Sequence, residues 1–143
     1  MRGVMEMTIE NPSNQAITNI FHTSKRIAVV GLSDNPERTS YMISEAMQKA
    51  GYEIIPVNPT VTEVLGVKAV SSLKEIEGDI DIVNVFRRSE FLPDIAKDTV
   101  EVGANVFWAQ LGVTNQEAYD YLREHNITTV MNRCIKVEHA KFK

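Results

Sequence analysis

Five clusters of residues in this chain combine turn chemistry with groups able to grip an anion, and the first of them is the most specific. Arg26-Ile-Ala-Val-Val-Gly31-Leu-Ser33-Asp-Asn35-Pro-Glu-Arg38-Thr-Ser40-Tyr reads as a buried strand, a glycine turn and the start of a helix. A short apolar run ending in glycine brings backbone N–H groups to the carboxyl edge of a sheet. The helix that follows adds its N-terminal dipole, so the turn favours an anion. Of the dinucleotide fingerprint G-x-G-x-x-G only Gly31 is present, and the other glycine places hold Ser33 and Pro36. Hydroxyls at Ser33 and Ser40 and the Asn35 amide can act where glycine backbone otherwise would, and Arg38 can pair with phosphate through two parallel bonds. A cation at a helix start opposes the dipole, so Arg38 is better explained with an anion beside it. The competing reading is an Asn-Pro turn with a solvated arginine.

The remaining clusters follow four later apolar runs. Asn58 and Pro59 come after Glu53–Val57, where a nicotinamide site usually places Asp or Glu for the ribose hydroxyls. The nearest acid, Glu63, lies beyond the turn, which argues against a nicotinamide cofactor. Asn58 can still meet a ribose, or can simply make the turn. Phe86, Arg87, Arg88 and Ser89 stand at the end of the run Asp81–Phe86; an aromatic beside two arginines suits a purine and its phosphates, or is core with solvated charges. Gln110 and Gly112 flank Leu111 after a further run, with glycine permitting close backbone approach. Asn132, Arg133 and Cys134 end the last run; a thiol near arginine can be reactive, though a lone cysteine also serves as a small buried hydrophobe.

These clusters need elements to present them. Helices are predicted over 14–22, 38–50 (Ile43, Ala46, Met47 and Ala50 on one face, Gly51 as the stop), from Pro93 to Gly103, and after Thr114. The helix from Pro93 turns Ile95, Ala96, Thr99 and Val102 inward. In the last, Thr114-Asn-Gln-Glu117 is a capping box, with Ala118, Tyr121, Leu122 and His125 on one face. Strands are predicted at 26–30, 53–57, 81–86, 105–110 and 127–131, with a short extra strand at 67–70 and a brief helix at 73–76. Asp79 and Asp81 mark a solvated turn, and of Phe107 and Trp108 at least one belongs to the core. Phe91-Leu92 is a candidate for a dimer interface or for the core. Val- and Ile-rich strands alternating with amphipathic helices imply an α/β fold: one Rossmann-like, doubly wound parallel sheet of about five strands with helices on both faces. Residues 1–12 read as a tail and 13–143 as the domain. Ligands in such sheets sit beyond the carboxyl ends of the strands, where all five clusters stand.

The bulk properties narrow the classes. The 143 residues suffice for one domain, and 43% apolar and 24% charged residues are ordinary for a soluble globular protein. A net charge of −4 argues against a nucleic-acid or anionic-membrane surface. No apolar run approaches the ~18–20 residues of a spanning helix. The first seven residues lack the apolar core of a signal peptide, and the methionines Met1, Met5 and Met7 mark an uncertain start. A single cysteine excludes an internal disulfide and fits a reducing cytoplasm. With three widely spaced histidines, no metal site is expected, and no nucleophile with an oriented base can be named.

Taken together, Val29-Val-Gly31-Leu-Ser-Asp-Asn-Pro-Glu-Arg38-Thr-Ser-Tyr41, Ile55-Pro-Val-Asn58-Pro59, Val85-Phe-Arg87-Arg88-Ser89, Trp108-Ala-Gln110-Leu-Gly112 and Met131-Asn-Arg133-Cys134-Ile-Lys-Val-Glu-His139 resemble the small stand-alone CoA-binding proteins. These are similar to the CoA-binding domain of the succinyl-CoA synthetase α subunit. The likeness runs from about residue 10 to the C-terminus. It implies a Rossmann-like domain holding coenzyme A, with the Gly31–Ser40 turn on the diphosphate, Asn58 and Pro59 bordering the adenosine, and Phe86 and Arg87 lining the nucleotide pocket. The synthetase phosphohistidine belongs to a second domain outside this sequence, and His139 is read as a surface or packing residue. The resemblance therefore transfers binding and not ligase activity.

The leading expectation is a cytoplasmic protein binding coenzyme A or an acyl-CoA through Gly31, Ser33, Asn35, Arg38, Ser40, Asn58, Pro59, Phe86, Arg87, Arg88, Gln110 and Gly112, with no catalysis of its own. The alternatives are an NAD(P)-binding oxidoreductase or redox sensor, with Arg38 or Arg87 on a 2′-phosphate, and a thiol-redox protein whose Cys134 forms a mixed disulfide with coenzyme A. A subunit that presents coenzyme A to a separate catalytic chain, or a homodimer, completes the set.

Overall fold

The computed structural model describes residues 9–142, so the expectations resting on Met1, Met5 and Met7 lie outside the described residues. Ser13 caps α1 (Asn14–Thr23), its Oγ accepting from the Ala16 N–H at 3.2 Å. There follow β1 (Arg26–Val30), α2 (Thr39–Lys49), β2 (Glu53–Val57), a hairpin of β3 (Glu63–Val64) and β4 (Val67–Lys68), a 3-10 turn at Leu73–Glu75, and β5 (Ile82–Val85). A second 3-10 turn at Ser89–Phe91 leads into α3 (Leu92–Val102), then β6 (Val106–Ala109), α4 (Gln116–Glu124), β7 (Thr128–Val130) and α5 (Ile135–Phe142).

The five-stranded sheet has the order β2-β1-β5-β6-β7, every pairing parallel, which is the expected Rossmann-like fold. Its strands are buried along their length because both faces are covered. On one face α1, α2 and α5 bring Ile17, Phe21, Met47 and Ile135 onto Ile27, Val29, Ile82 and Trp108. On the other, α3 and α4 bring Leu92, Ala96, Ala118 and Leu122 onto Ala28, Val83, Val85 and Phe107. Alternate residues of each strand thus feed different cores, and Phe107 and Trp108 are both fully buried, one on each side. Among the described residues no helix is long and apolar enough to cross a membrane.

Several local expectations are corrected. The capping box fails because Ser89 fixes the preceding loop: its Oγ accepts from the Thr114 N–H and its carbonyl from the Asn115 amide. Asn115 becomes the cap, its Oδ1 accepting from the Ala118 N–H at 2.9 Å. α4 then ends one residue before His125, which is exposed with its Nδ1 on the Tyr121 carbonyl rather than facing inward. Leu92 is fully buried in α3 and unavailable to a dimer interface. The short extra strand expected at 67–70 is present but stops at Lys68 and pairs antiparallel with β3, with Leu65 and Gly66 at positive φ in the turn, while Val70 bridges Val57. Asp81 is no solvated marker, since its Oδ2 accepts from the Lys25 and Arg26 N–H groups at 2.8 and 2.9 Å and clamps the entry of β1 to that of β5. α5 is an additional helix. Its buried positions are Ile135 and Glu138, a pairing that no apolar periodicity reveals.

Tyr52 ties the turn before β2 to α1, its hydroxyl donating to the Phe21 carbonyl at 2.8 Å. Burial raises this phenol above its ordinary pKa of 10.0. The folded state therefore holds the proton longer than the unfolded chain, so the contribution is intact below pH 10 and declines as pH climbs through the raised folded value. Tyr52→Phe is expected to cost about 1 kcal/mol at neutral pH. In urea titrations the gap between wild type and variant should shrink above pH 10, and a gap that stays constant would contradict this.

Candidate functional site

The chain leaves β1 toward β2 on one side and returns at β5 on the other, so the carboxyl ends of β1 and β5 border the crevice at the sheet's switch point. Gly31 sits there. Its N–H donates to the Val57 carbonyl at 2.9 Å, while the Phe86 N–H donates to the Val30 carbonyl at 2.9 Å, drawing the turns after β1, β2 and β5 together. Gly31 has φ +87°, and a methyl group on it would stand 2.7 Å from the Phe86 carbonyl oxygen and 3.0 Å from Arg87 Cδ. Both the conformation and the close approach require glycine.

The loop that follows is shaped by its own side chains. Ser40 Oγ accepts from the Ser33 N–H, Ser33 Oγ from the Asn35 N–H, and Asn35 Oδ1 from the Glu37 N–H, at 3.0, 3.0 and 2.9 Å. The three residues thus act as acceptors within the loop, which leaves their hydroxyl and amide hydrogens to donate. Ser40 is buried; the neighbouring Thr39, not singled out from the sequence, faces a cavity instead. Arg38 stands at the cap of α2 with no side-chain capping bond, so the first N–H groups of that helix stay open and its guanidinium is exposed.

Asn58 is a brace between turns. Its Nδ2 donates to the Leu32 carbonyl at 3.0 Å, and its Oδ1 accepts from both the Thr60 N–H and the Thr60 hydroxyl. Pro59 lines a cavity of about 200 Å³ with Val30, Val57, Ser71, Ser72 and Ile95. Phe86, Arg87 and Arg88 line a larger cavity of about 390 Å³, completed by Thr39, Ile43, Gln110, Leu111, Val113 and Cys134. Arg87 belongs to the wall of both. The aromatic ring that meets the arginines is Phe91 rather than Phe86: the Arg87 and Arg88 guanidinium carbons lie 4.4 and 5.5 Å from its centroid. Among the described residues Arg38, Arg87 and Arg88 take no ion pair.

The far wall is a buried polar frame. Gln110, which is 5% exposed, donates through Nε2 to Asn84 Oδ1 and accepts at Oε1 from the Ile135 N–H. Arg133 pairs with buried Glu138 at 2.9 Å, and its carbonyl accepts from the Trp108 indole at 2.8 Å. This frame fixes the junction of β7 and α5 that brings half-buried Cys134 to the cavity. Gly112 has φ +86° with open space around it, and its N–H donates to Asn132 Oδ1 at 2.7 Å; the turn, not a close approach, is what requires glycine. Of the twelve residues singled out from the sequence, Pro59, Phe86, Arg87, Arg88 and Gln110 line the two cavities. Gly31, Ser33, Asn35, Ser40 and Asn58 shape the turns beside them. Thr39, Val113, Ser71 and Ser72 are lining residues that no pattern in the sequence announces, while Leu111 stands at a strand end already marked by its neighbours Gln110 and Gly112. With unpaired guanidinia, an open helix start and an apolar recess, the arrangement suits a ligand that is anionic at its centre and apolar at one end.

Gly31→Ala should lower stability by about 2 kcal/mol or more, strain and overlap acting together. Gly112→Ala, which meets nothing within 4 Å, should cost only the strain. Urea unfolding of the pair checks this, and equal losses would remove the argument from close approach.

A family model described as a CoA binding domain matches residues 25–140. A Bacillus subtilis protein, the uncharacterised YneT, is 65% identical over 132 residues, covering 92% of this chain and 98% of that one. The solved structure of a hypothetical protein from Pyrococcus horikoshii superposes with a TM-score of 0.89 at 32% identity, covering 96% of this chain and 99% of that one. The α subunit of the ADP-forming acetate–CoA ligase II of Pyrococcus furiosus is 31% identical over 101 residues, 68% of this chain but only 22% of that subunit. The chain belongs to the family of CoA-binding domains, as the strand-end motifs led us to expect.

Proposed function

We propose that this chain binds coenzyme A across the carboxyl ends of β1 and β5 and performs no catalysis of its own. The observation that carries the reading is Arg87, unpaired and standing between two cavities beside Gly31. In this reading the diphosphate lies on the Gly31–Ser40 turn, with Ser33 and Asn35 donating and Arg38 and Arg87 supplying charge, while Ser40 and Asn58 keep the turns in shape. Pro59 borders the adenosine in the smaller cavity. Phe86, Arg88 and Gln110 wall the larger one, into which the pantetheine arm leads, and Gly112 supports the loop beyond. The family match and the likeness to an acetate–CoA ligase subunit support this ligand. The histidines stand apart from this site: His22 and His125 are exposed, and His139 sits edge-on to Phe21 and Tyr52 at 5.1 and 5.5 Å. None of them lines either cavity. We place the protein in a reducing cytoplasm, with its single thiol at Cys134. Where turnover is needed, a separate chain supplies it.

Calorimetric titration of the reduced protein with coenzyme A, with NADPH and ADP as competitors, tests the reading. Micromolar binding is expected. Arg87→Ala, at an exposed position that leaves folding intact, should weaken it about ten- to hundred-fold, the worth of a charge-assisted bond. Tight NADPH binding with coenzyme A excluded would overturn the proposal.

A further inference from the structure

The larger cavity is polar at its rim and apolar within. Arg87 and Arg88 hold the rim, their guanidinia stacked toward Phe91. Inside, Ile43, Phe86 and Val113 present hydrocarbon, and the amide of Gln110 is already committed to Asn84 and to the Ile135 N–H. The remaining polar side chains of the wall are the Thr39 hydroxyl and the Cys134 thiol. Amides of a pantetheine arm buried here would go largely unpartnered, at about 1–3 kcal/mol each. Water in a recess of about 390 Å³ walled this way finds few hydrogen-bond partners on its apolar side. Leu111 stands at its lip with 70% of its surface exposed, where it extends the apolar wall outward beside Val113 and can close over a chain seated in the recess.

We propose that the ligand is an aliphatic acyl-CoA, whose thioester hydrocarbon fills this cavity and is covered by Leu111, while the amides of the arm stay at the arginine rim. The inference rests on the coenzyme A reading above and names the class of ligand that reading leaves open. A free thiol leaves the apolar walls and Leu111 in water. An acyl chain of several carbons removes both from it, and each buried methylene is worth about 0.8 kcal/mol, or roughly a four-fold gain in affinity. Acetyl is too short to gain much.

The test is titration of the reduced protein with coenzyme A, acetyl-CoA, butyryl-CoA and octanoyl-CoA, together with the variants Leu111→Asp and Val113→Trp. Affinity should rise along the series by about three- to four-fold per methylene until the cavity is full. Leu111→Asp, at an exposed position that does not threaten folding, should cut the octanoyl-to-free-CoA affinity ratio at least ten-fold. Val113→Trp, which fills the recess, should flatten the whole series. Equal affinities for all four ligands, or a ratio indifferent to Leu111→Asp, would overturn the inference while leaving coenzyme A binding in place. Failure of all four to bind would overturn the coenzyme A reading itself, and this inference with it.

Discussion

At Gly31 the backbone leaving β1 passes close enough to the Phe86 carbonyl that a methyl group would stand 2.7 Å from its oxygen. That approach lets three turns converge, through the bonds from Gly31 to Val57 and from Phe86 to Val30. Everything at the carboxyl edge is arranged around it. Arg87, whose Cδ lies against the same glycine, is thereby set between the two cavities, and the loop after Gly31 is aimed at the start of α2. Asn58 adds a second brace by donating to the Leu32 carbonyl, which ties the turn after β2 to the turn after β1. A bulkier residue at position 31 would part these turns before it disturbed the core, because the core lies under the strands and not at their ends.

The opposite wall obtains its rigidity differently. Buried Gln110 links Asn84 to the Ile135 N–H, and half-exposed Arg133 links buried Glu138 to the Trp108 indole beside it. Hydrogen bonds among buried polar groups favour one arrangement, since breaking one leaves a costly orphan. Their effect here is to fix the start of α5, and with it Cys134, relative to β6. The cavity is therefore bounded by a glycine-dependent crook on one side and a hydrogen-bonded frame on the other. A preformed recess of this kind lets binding energy go to the ligand rather than to ordering the protein.

Most of the fold was legible because the strands are continuous apolar runs and the helices carry clear periodicity and stops. Strand positions near 26, 53, 82, 106 and 128 could be read within a residue or two of their ends. The exceptions have particular causes. Asn115 displaced Thr114 as a cap because Ser89, distant in sequence, holds the preceding loop. α5 escaped notice because a buried position carries Glu138, intelligible only once Arg133 is seen beside it. At the candidate site, glycine, arginine and asparagine at strand ends marked the region, since their turn chemistry is local. Their roles were less legible: Ser40 and Asn58 look outward in sequence yet hold backbone in place. The lining residues Thr39, Val113, Ser71 and Ser72 have no local signature, because what makes them wall residues is the packing of elements far apart in the chain.

In the proposed site coenzyme A spans the switch point, passing Gly31 and Arg87 from one cavity to the other. The most direct measurement is a crystal structure of the protein soaked or co-crystallised with coenzyme A. The diphosphate is expected on the turn after β1 within hydrogen-bond distance of Arg87, the adenine in the recess beside Pro59, and the arm running toward the cavity that holds Cys134. Coenzyme A found elsewhere would contradict it, for instance in the cleft of about 360 Å³ that Asn19, Thr23 and Asn105 line at the amino end of the sheet.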